Sequence, residues 1–157
     1  MKEIKLTRGK IAIINSRDFR KLNQYKWHVY WSGSAFYAGR SIYKNGRNSI
    51  IPMHREIMHA PNEFQVDHKN GNTLDNSRKN LRLCTHQQNQ HNRINPNKNN
   101  ILGIKGICWL KGTGKFRARI MINKKAIHLG LFVSIKEADN AYRKAERKYF
   151  GSFARKY

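Results

Sequence analysis

Residues 66–89 read Val66-Asp67-His68-Lys69-Asn70-Gly71-Asn72-Thr73-Leu74-Asp75-Asn76-Ser77-Arg78-Lys79-Asn80-Leu81-Arg82-Leu83-Cys84-Thr85-His86-Gln87-Gln88-Asn89. A carboxylate stands beside an imidazole, a loop follows, and a second asparagine lies just beyond Asn80-Leu81-Arg82. Asn70-Gly71-Asn72 and Asp75-Asn76 are turn chemistry, so the loop should be compact. Thr85 and Gln88 stand three apart, the spacing of a capping box. That places Asn89 about one turn into a short helix. Asp67 offers a hard oxygen ligand and Asn89 an amide oxygen, donors that suit Mg²⁺, with Mn²⁺ as a second choice. His68 has an intrinsic pKa suited to taking a proton from water near neutrality. Together these are the parts of metal-assisted phosphodiester hydrolysis. With one protein carboxylate on the ion, affinity without a phosphate partner should be weak. One point resists the scheme: neighbours on a regular strand face opposite ways, so Asp67 and His68 share a site only if the strand ends or twists there.

The remaining composition narrows the substrate. The chain has 157 residues, 32 Lys+Arg against 9 Asp+Glu, and a formal net charge of +23. Such an excess is tolerated when a polyanion neutralises it, and nucleic acid is the polyanion this chemistry requires. No apolar run spans a bilayer, no basic helix carries a large apolar face, and the N-terminus lacks a signal-peptide core. The expected setting is therefore the cytoplasm, that of a bacterial host if a phage or mobile element encodes the chain. Cys84 and Cys108 are the two cysteines. Without a Cys-x-x-Cys they are expected as small buried thiols; a zinc site assembled from scattered Cys and His is the alternative.

The expected fold class is α+β. Residues 1–52 read as a β-rich region packing on the motif. Lys10–Ile14 is an apolar run. Residues 27–31 and 36–40 flank a turn at Ser32-Gly33-Ser34, and Lys44-Asn45-Gly46-Arg47 is another turn. A short helix is expected over 53–59, before Pro61. Residues 53–93 form the motif segment and 94–100 a linker rich in asparagine. Residues 101–157 predict a small domain of three antiparallel strands, at 104–110, 115–122 and 126–132, packed on one helix. Ser134 and Glu137 open that helix as a capping box, and Gly151 closes it. On the central strand Phe116, Ala118, Ile120 and Ile122 should meet the helix. Lys115, Arg117, Arg119 and Met121 should face outward, where a narrow basic sheet suits a DNA major groove.

With those blocks in view, residues 54–92 resemble the HNH nucleases, in the homing-endonuclease branch with Asp-His for His-His. The matching pieces are His54-Arg55, Val66-Asp67-His68, Asn70-Gly71-Asn72, Leu74-Asp75-Asn76, Asn80-Leu81-Arg82, and Thr85 with Gln88-Asn89. The resemblance implies a ββα-metal site with His68 as general base and Asp67 and Asn89 as metal ligands. It implies Asn80 as a brace for the loop and His54 as a structural residue packed on the motif. Residues 101–155 resemble the Apetala-type DNA-binding domain of plant ethylene-response factors. That likeness rests on Lys105-Gly106-Ile107, Gly114-Lys115-Phe116-Arg117-Ala118, His128-Leu129-Gly130-Leu131-Phe132, Glu137-Ala138, Ala141-Tyr142 and Phe150-Gly151. It implies a sheet laid in the major groove. Cys108 and Leu110 stand where the plant factors carry arginines, so base contacts do not transfer. The DNA-binding candidates here are Lys105, Trp109, Lys111, Lys115, Arg117, Arg119 and Lys124, with core packing the competing role for Trp109.

The remaining histidines have plainer expectations. His86 shares Asn89's helix face and has phosphate contact open to it; His91 should face away. His28, His59 and His128 read as structural, and Tyr25, Trp27, Tyr30 and Trp31 as a hairpin core or a stacking surface. The leading expectation is a metal-dependent homing-type endonuclease acting on double-stranded DNA as a monomer, with no small-molecule cofactor. The alternatives are a non-catalytic DNA-binding regulator and a structural RNA-binding protein.

Overall fold

The computed structural model describes residues 1–91 and 100–154, the side chains of Gln90 and His91 excepted. The expectations for His91 and, Asn100 apart, for the linker therefore fall outside the described residues. The chain divides into two compact units, Met1–Gln90 and His91–Tyr157. Both mix strands and helices.

In the first unit, β1 (Lys2–Lys5) and β2 (Ile11–Ile14) form an antiparallel hairpin. An α-helix follows, α1 (Ser16–Leu22), an element not expected within the region read as β-rich. Its logic is local. Asp18 lies in the first turn and Arg20 and Lys21 in the last, each sign matched to the helix dipole. Phe19 and Leu22, three apart, pack into the same apolar cluster. The next three strands are β3 (His28–Trp31), β4 (Phe36–Lys44) and β5 (Arg47–Pro52), an antiparallel meander in that order. Asn45 and Gly46 join the last two with φ of 51° and 73°, the doubly positive pair that a tight hairpin turn uses. Helix α2 (Met53–Met58) ends one residue earlier than expected, because His59 adopts the left-handed conformation as its cap. The motif segment supplies the antiparallel pair β6 (Gln65–His68) and β7 (Leu81–Cys84), then α3 (His86–His91).

One apolar cluster joins these pieces. Ile4, Ala12, Ile14, Leu22, Trp27, Val29 and Ala38 from the N-terminal region bury against Met53, Ile57, Val66 and Leu81. Trp27 is satisfied within it, its Nε1 donating to the Leu22 carbonyl at 2.8 Å. The sheet that holds the motif is thus seated on the N-terminal region.

The second unit is a three-stranded antiparallel sheet, β8 (Ile107–Leu110), β9 (Lys115–Ile122) and β10 (Lys125–Phe132), in the order β10-β9-β8. Helix α4 (Ile135–Phe150) opens with a complete Ser134–Glu137 capping box and is capped by Gly151. Ile107, Ala118 and Ala138 form one buried cluster, and Ile120, Tyr142 and Ala145 another. The first strand starts later than expected because Gly106 interrupts extended backbone with φ of 77°. A β-carbon there would lie 2.1 Å from the Tyr142 ring and 2.6 Å from the Arg119 carbonyl. Among the described residues, no helix is long and apolar enough to cross a membrane.

Candidate active site

The loop between β6 and β7 is built almost wholly from short polar side chains bonded to backbone. Asn70 Oδ1 accepts the Asn72 amide at 2.8 Å, and Asn72 Oδ1 accepts the Leu74 amide at 3.1 Å. Asp75 Oδ1 accepts from the Ser77 amide and hydroxyl. Asn80, buried, spans the loop: Oδ1 accepts the Asn70 amide at 2.9 Å and Nδ2 donates to the Asp75 carbonyl at 2.7 Å. The N-terminal region grips the loop from outside. The Ile13 amide donates to the Leu74 carbonyl, the Asn76 amide to the Ile13 carbonyl, and Arg78 forms a forked pair with Asp18.

At the end of β6 Asp67 and His68 are both 5 % exposed. His68 packs edge-on against His54 with ring centroids 5.2 Å apart, and Tyr37 lies 5.9 Å from His68 and 5.5 Å from His54. Burial holds both imidazoles below the usual histidine range. His54 is pushed down to about 3 by desolvation, then by His68 and Arg55. His68 is lowered by desolvation, which outweighs a hydrogen bond with Asn76 and the charges of Asp67 and Asp75. At neutral pH both rings are uncharged, the form in which a histidine accepts a proton. Tyr37 is raised by burial and by the Asp67 charge, so its hydroxyl stays protonated. His54 Nδ1 is buried and makes no hydrogen bond among the described residues.

Asp67 pairs across the sheet with Arg82. Arg82 Nε lies 2.7 Å and Nη2 2.6 Å from Asp67 Oδ2. Gln65, two residues before Asp67, shares its side of the strand. Gln65 Oε1 accepts from Asn89 Nδ2 at 2.8 Å, and Gln65 Nε2 lies 3.0 Å from His86 Nδ1. Helix α3 is fixed at its start by a reciprocal Thr85–Gln88 cap, with the Thr85 amide donating to Gln88 Oε1 at 2.8 Å and the Gln88 amide to Thr85 Oγ1 at 3.2 Å. The geometry therefore brings Asn89 to the side of β6 that carries Asp67. His68 is the last residue of β6, and the Asp67 charge is felt by both His68 and Tyr37.

The donor set suits a hard divalent ion on one condition. Asp67 supplies a carboxylate, and Asn89, its Nδ2 committed to Gln65, has an amide oxygen to offer. Among the described residues no group of three His, Cys, Asp or Glu side chains is arranged to hold a metal. Two oxygen donors do not complete an octahedron, so phosphate oxygens and water must fill it. Arg82 also competes with a cation for Asp67.

Of the cysteines, Cys84 is buried, its thiol pushed up to about 11 by desolvation and Asp67. Cys108 is only half-buried, which corrects the expectation of two buried thiols. It lies opposite Arg117 on the outward side of its sheet.

The DNA-binding candidates scatter. Lys115, Arg117 and Arg119 alternate with Phe116, Ala118 and Ile120, as expected from strand parity. Lys124 lies in the turn after β9, with φ of 65°, and Lys111 in the turn after β8. Lys105 Nζ lies 3.5 Å from Oε1 of the buried Glu146. Trp109 pairs with Phe116, rings 4.6 Å apart, and so belongs to the helix side of the sheet, although it is 44 % exposed.

Sequence reasoning passed over Tyr37, Gln65, Arg82 and Asn76 as site residues. Gln65 and Arg82 carried a signal, since strand alternation from Asp67 and antiparallel pairing place both beside it. Tyr37 carried none, because its strand belongs to another sheet.

Residues 59–91 match the sequence model of a family described as HNH endonuclease. Protein 3.8 of Escherichia phage T7 is 28 % identical over 116 residues, 74 % of this chain and 94 % of that protein. An uncharacterised HNH endonuclease of Acanthamoeba polyphaga mimivirus is 26 % identical over 153 residues, 94 % of this chain and 74 % of that one. No solved structure matches the chain. The family match and the viral relative support an HNH-type nuclease, a class that works with a divalent metal.

Proposed function

We propose that the chain is a homing-type endonuclease that hydrolyses a phosphodiester of double-stranded DNA. The observation that carries this reading is a buried, uncharged His68 beside Asp67 at the end of β6, within the segment that matches the HNH family. His68 takes the proton of the attacking water on its ring nitrogen. His54 and Tyr37 pack against that ring, and burial keeps it uncharged at neutral pH, the form that can accept a proton. Asp67 and Asn89 are the residues that would hold Mg²⁺, with Mn²⁺ acceptable to the same oxygens. When bound, the ion supplies Lewis-acid stabilisation of the leaving oxygen. Asn80 fixes the loop that sets the spacing of β6 and β7. Arg82 neutralises Asp67 before substrate arrives and is attracted to the phosphate afterwards.

In this reading the second unit, an Apetala-type sheet, positions the chain on the duplex. Lys115, Arg117 and Arg119 supply its outward basic face and Lys111 and Lys124 its turns. One motif per chain gives one nick per visit from a monomer. The ligand assignment is tested by titrating Mg²⁺ into nicking reactions of wild type, Asp67→Ala and Asn89→Ala. Both variants should bind DNA in EDTA as wild type does and lose cleavage at low Mg²⁺. Full cleavage by Asp67→Ala at wild-type Mg²⁺ would overturn the assignment.

A further inference from the structure

The far half of the β4–β5 hairpin covers no core. From Ser41 to Ile50 every residue is exposed except Ile42, which is half-buried. Tyr43 on one strand is 74 % exposed and Ile50 on the other 45 %. A two-stranded ribbon open on both sides is marginal by itself, so its base must hold it. It does: Arg40 Nε bonds Glu56 Oε2 at 2.8 Å, and the Arg40 guanidinium lies 4.1 Å from the Tyr25 ring. Gly39 is packed so closely that a β-carbon would meet Ile50 at 2.6 Å and Tyr30 at 2.7 Å.

The register divides the ribbon into two faces. Ser41 pairs with Ile50 and Tyr43 with Asn48, giving one polar-aromatic face; Lys44 pairs with Arg47 on the other, flanking the Asn45-Gly46 turn. Residues 36–52 contain no Asp or Glu. By strand alternation the face of Ser41 and Tyr43 is also that of Tyr37, whose ring touches His68. Six residues separate Tyr37 from Tyr43, about 20 Å of strand. That is about six base pairs along a duplex.

We propose that this ribbon is a second duplex-DNA contact of the chain, seated in the major groove beside the phosphodiester that His68 addresses. The groove is about 12 Å wide and admits a two-stranded ribbon. Tyr43, Asn48 and Ile50 face base edges, and Lys44 and Arg47 reach the phosphates at the groove rim. The inference rests on the reading of the first unit as a DNA nuclease, and it assigns to that unit its own grip on substrate.

The test is binding of the full chain to a labelled duplex oligonucleotide in EDTA, across a salt series. Lys44→Ala/Arg47→Ala should lower the slope of log affinity against log salt by about 1.8, two phosphates' worth. Its thermal midpoint should match wild type, because both side chains are exposed. Lys5→Ala/Lys21→Ala, equally exposed cations elsewhere in the unit, should keep the wild-type slope. Equal slopes for wild type and the ribbon variant overturn the proposal and leave the nuclease reading intact. Equal losses in the ribbon and control variants overturn it too, since charge alone would then account for binding. A ribbon-dependent slope in a chain that never cuts overturns the nuclease reading and with it the placement beside His68, and leaves the ribbon's contact with the duplex standing. Absence of any duplex binding by wild type overturns both. Sedimentation of Tyr43→Ala/Ile50→Ala covers self-association: if it turns a wild-type dimer into a monomer with the DNA slope unchanged, the face serves a second copy and the proposal fails.

Discussion

Tyr37 shows what a single side chain adds to this site. Its ring contacts both His54 and His68, so it restricts where the His68 imidazole lies. Tyr37→Phe keeps the ring and should leave nicking within a few-fold of wild type. Tyr37→Ala should lower the single-turnover rate by about 100-fold, the scale of a misplaced catalytic group. Equal rates for both variants would remove Tyr37 from the positioning role. His54 yields a pH prediction with a definite sign. Folded His54 binds its proton near pH 3, while the unfolded chain does so near 6.5. Between those values the unfolded state holds more protons, so stability is full above about 6.5 and falls as pH drops toward 3. One such group contributes up to about 1.4 kcal/mol per pH unit. Urea unfolding should show His54→Gln losing less stability than wild type between neutral and mildly acidic pH; parallel losses would contradict the burial argument. Asp67, His68, Asn80 and Asn89 stood out in the sequence as candidates because they lie within one short stretch whose chemistry is local. Tyr37 was not, because its place in the site is a tertiary contact between separate sheets.

At the scale of elements, the turn chemistry and both capping boxes were readable from side chains a few residues apart. The loop they predict is held by Asn80, whose two backbone bonds cross it. Asn80→Ala removes both bonds, leaving the Asn70 amide and the Asp75 carbonyl without that partner, and should cost about 2 kcal/mol by denaturant unfolding. Gly106→Ala puts a methyl group into Tyr142 at a positive φ. It should destabilise the second unit by at least about 2 kcal/mol, and a change under about 0.5 kcal/mol would show that the close approach is not rigid. Helix α1 escaped the sequence reading because its apolar residues are few and it lies between β-rich runs. The parity of β8 was readable but not carried across: Ile107 is core, so Trp109, two residues on, faces the same way.

For the whole molecule, charge and architecture point the same way. A chain with net charge +23 binds polyanions strongly at low salt whatever its fold. What would separate a nuclease from a basic binder is chemistry at the buried His68 and Asp67, in the segment that matches the HNH family. The chain divides into two units with separate cores between Gln90 and His91, a few residues before the asparagine-rich stretch. The extent to which the N-terminal region builds the motif's own core was not legible in the sequence, because that depends on which apolar faces meet. The most direct measurement is conversion of supercoiled duplex plasmid by purified wild type and His68→Ala, each with Mg²⁺ or EDTA, using a plasmid that carries the locus flanking the gene. Wild type with Mg²⁺ alone should yield nicked circles, and His68→Ala should leave the plasmid supercoiled while still shifting it on a gel. Cleavage by His68→Ala at the wild-type rate, or a wild type that shifts the plasmid and never nicks it, would contradict the account.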